Sequence, residues 1–157
     1  MALLPMVARR EPLGKNAFVY VTPRHSFNTD TLLLAHFSMP KPRERCADLG
    51  TGCGTIPLWW ASRGVRGPIQ ALELQEEACN LAQTSVQENG FSSIISVQQG
   101  DLRQPKENGL RDLDVIACNP PYQAAGTGIL SGTTSDQAAR HETTCTLEDV
   151  DRTAKVA

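Results

Sequence analysis

The feature that most constrains this 157-residue chain is Asp48-Leu49-Gly50-Thr51-Gly52-Cys53-Gly54, three glycines at alternate positions following a short apolar run. Glycine adopts backbone conformations closed to other residues and carries no Cβ. Such a run can therefore turn the chain sharply from a strand into a helix and bring backbone close to a ligand. Cys46 to Leu49 reads as a short buried strand and Thr55 to Arg63 as the helix, with Pro57 tolerated in its first turn. A dinucleotide fingerprint would need its third glycine at position 55, where Thr55 stands. The spacing is instead Gly-x-Gly-x-Gly with an acid two residues ahead.

The same alternation continues. Ile69 to Leu72 reads as a second strand, and Glu76 to Asn89 as a helix with Ala78, Leu81, Ala82, Ser85 and Val86 on one face and Gly90 as its stop. Ile94 to Val97 is the third strand and Asp114 to Cys118 the fourth, entered from a polar loop around Lys106 to Gly109. Strands alternating with helices predict an α/β fold, a mostly parallel sheet with helices on both faces. Right-handed crossovers then bring the loops after successive strands to one end of the sheet, where ligands bind. Ahead of this, Phe18 to Val21 reads as a short strand or extended arm. Asn28, Thr29 and Asp30 offer N-caps to a helix through Phe37 that stops before Pro40. Residues 1–44 are thus expected as a lead-in and 45–157 as the main domain. Beyond Tyr122, a Gly/Thr/Ser-rich stretch through Ser135 predicts a mobile loop or lid. Thr146-Leu147-Glu148-Asp149 has capping-box spacing for a final helix.

The length suits one domain with a real core, and the mixed composition excludes a disordered or fibrous chain. The net charge of −2 hides an asymmetry: up to residue 45, seven Lys/Arg against three acids give +4, and the rest carries −6. A basic leading segment could approach phosphates, or simply be a solvated surface. Five scattered cysteines without a Cys-x-x-Cys pair suggest reduced thiols and no metal site. The start fails as a signal peptide, because Pro5 interrupts its apolar stretch and Arg9-Arg10 follow it. With no apolar run of ~20 residues, a cytoplasmic protein is expected.

Two further acids stand at strand ends. Glu73 closes the second strand, where an acid can take ribose hydroxyls, and Asp101, after Gly100, can accept from an adenine amino group. Singly, each has a plainer reading as a helix cap or surface charge. At the end of the fourth strand comes Asn119-Pro120-Pro121-Tyr122. Two prolines stiffen the backbone and remove two donors, so the Asn119 side-chain oxygen and the Pro120 carbonyl can accept from one NH2 group. That grip suits a planar, weakly nucleophilic amino group, whose lone pair must be oriented in line with a methyl donor. Tyr122 offers a face on which a base can stack.

Together these residues resemble the successive motifs of class I S-adenosylmethionine-dependent methyltransferases. The resemblance implies a Rossmann-like fold and S-adenosylmethionine as cofactor. It places Asp48, Gly50, Thr51, Gly52 and Gly54 against the methionine part, Glu73 with Leu74 at the ribose, and Asp101 with Leu102 at the adenine. The tetrapeptide resembles the catalytic motif of enzymes acting on adenine, cytosine or glutamine amide nitrogens, and does not choose among them. Two flanking stretches narrow the choice: Phe27 to Ala35, and Ala139-Arg140-His141-Glu142. They resemble the bacterial valine-tRNA adenine-N6 methyltransferase family, which modifies the adenine beside the anticodon. That likeness implies tRNA as partner, Phe27 and Asp30 with Asn119 at the cofactor cleft, and Arg140 and His141 with Tyr122 near the substrate. Two alternatives stand beside it. One is a protein (release factor) glutamine-N methyltransferase, against which the short lead-in argues. The other is a silent cofactor- or RNA-binding module, since the chain stops before the family's C-terminal strands and is expected to be a truncated form. A fourth strand left as an open edge would be an aggregation hazard.

Overall fold

The computed structural model describes residues 3–120 and 145–157. A parallel sheet of four strands organises it. The strands are β3 (Cys46–Leu49), β4 (Ile69–Glu73), β5 (Ile95–Gln99) and β6 (Val115–Cys118), in the order β5-β4-β3-β6. A separate antiparallel hairpin pairs β1 (Arg9–Pro12) with β2 (Phe18–Val21). The helices are α1 (Thr29–Phe37), α2 (Thr55–Ser62), α3 (Glu76–Glu88) and α4 (Leu147–Val156). The Gly/Thr/Ser-rich stretch expected as a lid lies outside the described residues.

Alternation along the strands divides the core in two. Cys46, Ile69, Ala71, Ile95 and Ala117 join Ile56, Leu58 and Trp60 of α2 and Leu81 and Val86 of α3. Ala47, Leu49 and Leu72 pack on the opposite face with Leu110, Leu102, Ile116 and the chain-terminal Ala157. Helix α4 reaches that second face through its buried Thr153, whose hydroxyl donates to the Leu102 carbonyl at 2.6 Å. The sheet is therefore covered from both sides, as the alternating pattern predicts.

Helix ends follow local chemistry. After α3, Gly90 at φ 77° closes a two-bond stop: its N–H donates to Gln87 and that of Phe91 to Val86. The capping box expected at Thr146 and Asp149 forms, and of the three candidate N-caps of α1 it is Asn28 that caps, in a second box with Thr31. The third parallel strand begins and ends later than the sequence suggests. Ile94 closes a turn onto the Phe91 carbonyl, and the ladder runs on through the polar Gln98 and Gln99. Strand β1 was not foreseen, because Arg9-Arg10-Glu11-Pro12 has no apolar alternation. It is recruited by pairing with β2, and Arg10 lies 4.4 Å over the Phe18 ring. Leu13, Val19 and Val21 of this hairpin and Ala35 of α1 belong to the same core as α2 and α3.

Trp60 fixes α1 to α2. Its fully buried indole donates to the Ala35 carbonyl at 3.0 Å, an acceptor in the last turn of α1 where backbone partners run out. Trp60→Phe leaves that carbonyl unsatisfied and opens a small void. It should cost about 2 kcal/mol, read as a lowered midpoint in urea denaturation; an unchanged midpoint would contradict the assigned role of the indole.

Candidate active site

The carboxyl ends of all four parallel strands share one edge. The register sets Leu49 beside Leu72 and Cys118, and Glu73 beside Gln99. Gly50, Asn119 and Gly100 therefore leave the sheet in one row with Glu73. With strands ~4.8 Å apart, the row extends roughly 14 Å from β5 to β6. The chain runs outward from β3 to β4 and β5, then returns to β3's other side with β6. The crevice at such a reversal of strand order is where open α/β sheets bind ligands.

In the loop after β3, Gly50, Gly52 and Gly54 have φ of 74°, 59° and 91°. Each lies in the left-handed region that only glycine enters without strain. A Cβ on Gly50 or Gly52 would meet nothing within 4 Å, so the outer side of the loop is open. At Gly54 a Cβ would come within 3.1 Å of the Ala82 Cβ, and its absence lets α2 start close against α3. The end of β4 holds this loop in place. The Leu72 carbonyl accepts from both Gly50 N–H (2.8 Å) and Thr51 N–H (2.9 Å). Glu73, 8 % exposed, accepts from Gly52 N–H at 2.8 Å and from Gln75 N–H at 2.9 Å.

Asp48 is 1 % exposed, and its Oδ1, like the Thr51 hydroxyl, has no partner among the described residues. A buried carboxylate and hydroxyl without partners beside an open glycine loop have room to meet a water, an ion or a polar ligand. Burial pushes the Asp48 pKa up to about 7; the nearby Thr51 side chain opposes the rise and the charge of Glu73 adds to it.

The other expected residues are placed as follows. Asp101 lies past the end of β5 and is paired with Arg103, whose Nη2 is 2.6 Å from Oδ2 and whose backbone N–H donates to Oδ1 at 2.9 Å. The Arg103 contacts hold the Asp101 carboxyl below its ordinary pKa. Leu102 packs into the second core cluster, and the Leu74 carbonyl accepts from Gln99 Nε2 at 3.2 Å. Phe27 packs against the first cluster, while Asp30 is exposed in the first turn of α1. Asn119 is half-buried with its Nδ2 3.2 Å from the Thr31 hydroxyl, and Pro120 is buried. Pro121, Tyr122, Arg140 and His141 lie outside the described residues. Sequence reading missed Thr31 and Arg103. The Asn28-x-x-Thr31 cap spacing was a visible signal that Thr31 faces a helix end, but nothing in it names Asn119.

An acid whose folded pKa lies above its unfolded one takes up a proton on folding. The stability it contributes is greatest below the ordinary value of 3.8 and is lost as pH rises to about 7. Asp48→Asn removes that loss. The variant's thermal midpoint should rise relative to wild type between pH 5 and pH 8, by the equivalent of at most ~3 kcal/mol; an equal difference at both pH values would contradict the burial argument.

Comparison with known proteins supplies what the geometry leaves unnamed. Residues 26–141 match the methyltransferase small domain family. The chain is 38% identical over 95 residues to a tRNA1(Val) (adenine(37)-N6)-methyltransferase of Glaesserella parasuis, covering 60% of this chain and 40% of that one. It is 33% identical over 129 residues to the protein of the same name from Parabacteroides distasonis, covering 81% and 52%. The chain spans about half the length of these relatives. Among solved structures, TrmN from Thermus thermophilus superposes with a TM-score of 0.53 at 31% identity, over 59% of this chain and 28% of that one.

Proposed function

The chain belongs to the methyltransferase small domain family, and from that premise we propose that it methylates an amino nitrogen of RNA with S-adenosylmethionine as donor. The acceptor would be the N6 of an adenine beside the anticodon of a tRNA. The observation that carries this reading is the placement of Asn119 and the buried Pro120 at the end of β6, one strand from the open glycine loop.

The residues of the crevice suit the donor. Gly50 and Gly52 present a loop face without side chains, and the unpartnered Asp48 Oδ1 and Thr51 hydroxyl could meet polar groups of the amino-acid part. Glu73 uses each carboxylate oxygen once, and an ionised carboxylate has about four lone-pair sites, so it can still accept from ribose hydroxyls. Asp101, with Leu74 and Leu102 alongside, would take the adenine end, and Phe27 and Asp30 would border the cleft. When bound, the donor supplies a methyl group on positively charged sulfur.

The chain's own part is to hold the acceptor. Asn119 Oδ1 and the Pro120 carbonyl accept from the two N–H bonds of the amine and aim its lone pair at the methyl carbon. Methyl transfer would leave a surplus proton on the nitrogen, hydrogen-bonded to these two acceptors until it is lost to water. Tyr122 would stack on the extruded base, with Pro121 stiffening the motif and Arg140 and His141 nearby. Residues 45–157 would form the cofactor-binding unit, with 1–44 as its lead-in. No described helix is long and apolar enough to cross a membrane, and a tRNA substrate agrees with a cytoplasmic location.

Calorimetric titration with S-adenosylmethionine, followed by methyl transfer to unmodified valine tRNA and to a release-factor-like protein, tests the reading. Asn119→Ala should lower transfer by ~100-fold or more while the cofactor Kd moves less than about threefold. Transfer to protein but not tRNA would overturn the substrate assignment. Binding without transfer to either would indicate a silent module.

A further inference from the structure

The amide of Asn119 is turned toward the first turn of α1, where its Nδ2 donates to the Thr31 hydroxyl at 3.2 Å. That hydroxyl is already directed. It lies 3.2 Å from Asn28 Oδ1, to which it donates, and the same Oδ1 takes the Thr31 N–H at 3.1 Å. A hydroxyl has one proton. With that proton committed to the helix cap, Thr31 offers Asn119 only a lone pair. An asparagine side chain has a donor end and an acceptor end exchanged by a half-turn of the amide. Turned one way, NH2 meets the lone pair; turned the other, two oxygens face each other unless the cap gives up its proton.

We propose that Thr31 is a positioning residue that fixes the Asn119 amide in one orientation. Oδ1, which has no partner among the described residues, is thereby presented away from α1 as the acceptor for the substrate's amino group. This rests on the reading of Asn119 given above. The support is rigid. Thr31 sits one turn before Ala35, whose carbonyl is held by the buried Trp60 indole, so the helix that carries the hydroxyl is anchored in the core. The contact joins residues 88 apart in sequence and couples the helix cap to the end of β6.

Three variants separate positioning from stability. Thr31→Val keeps the shape and removes the lone pair, Thr31→Ser keeps the hydroxyl, and Leu33→Gly loosens α1 at an exposed position while leaving the hydroxyl and its cap in place. In protein carrying 15N-asparagine, with the Asn119 signal assigned by its absence in Asn119→Asp, the side-chain NH2 should exchange with solvent ~5- to 10-fold faster in Thr31→Val, the scale of one lost hydrogen bond. Methyl transfer should show kcat reduced ~5- to 10-fold in Thr31→Val, with the S-adenosylmethionine Kd and RNA KM within about twofold of wild type. Thr31→Ser should restore both readouts, and Leu33→Gly should lower the thermal midpoint with kcat within about twofold. Faster exchange with unchanged kcat overturns the positioning role, and unchanged exchange overturns the contact. If wild type transfers no methyl group, the functional reading fails, while exchange still decides whether Thr31 holds the amide.

Discussion

Glu73 holds its buried carboxylate between two backbone N–H groups, that of Gly52 in the glycine loop and that of Gln75 at the start of α3. Without this acceptor, a loop with three left-handed glycines would have little to select its conformation, because freedom that permits a turn also permits alternatives. The adjacent Leu72 carbonyl fixes Gly50 and Thr51 in the same way. The loop then sets where α2 begins, α2 carries Trp60, Trp60 holds Ala35 of α1, and α1 presents Thr31 to Asn119. The crevice is thus assembled by a succession of single polar contacts, each made by an element whose apolar face is already buried.

Electrostatically, the edge is unbalanced. Asp48, Glu73 and Asp101 all stand at strand ends, and among the described residues only Asp101 has a cationic side chain at hydrogen-bond distance, Arg103. Glu73 is satisfied by backbone donors, and Asp48 by none on Oδ1. A concentration of partly satisfied acids favours a cationic ligand and disfavours an anionic one. That preference agrees with a sulfonium donor.

Much of this was legible because punctuation and burial coincide. β3 and β4 are short runs buried nearly throughout, bounded by Gly50 and by Pro68, so their apolar character marks them without help from partners. The stop of α3 at Asn89-Gly90 is written in the chain, since only glycine accepts the conformation required there. Where the signal failed, the cause was tertiary. β5 runs through Gln98 and Gln99 because β4 offers a ladder to continue on, and β1 exists because β2 offers an edge. Among the candidate site residues, the acids and glycines stand out by their positions at strand ends. Thr31 and Arg103 did not, because a threonine at a cap and an arginine after an acid are ordinary until the fold brings a partner to them.

The docking of the hairpin on α3 has a consequence for the order of events during synthesis. Phe18 exchanges two hydrogen bonds with the Asn89 side chain, and the Tyr20 N–H donates to the Ser85 hydroxyl. These partners are 71 and 65 residues downstream. At ~5–20 residues per second, the hairpin is made roughly 3–14 s before the surface it needs. A two-stranded hairpin is marginal alone in water. The hairpin is therefore fixed only once α3 has been made, and its apolar Val19 and Val21 stay uncovered during that interval.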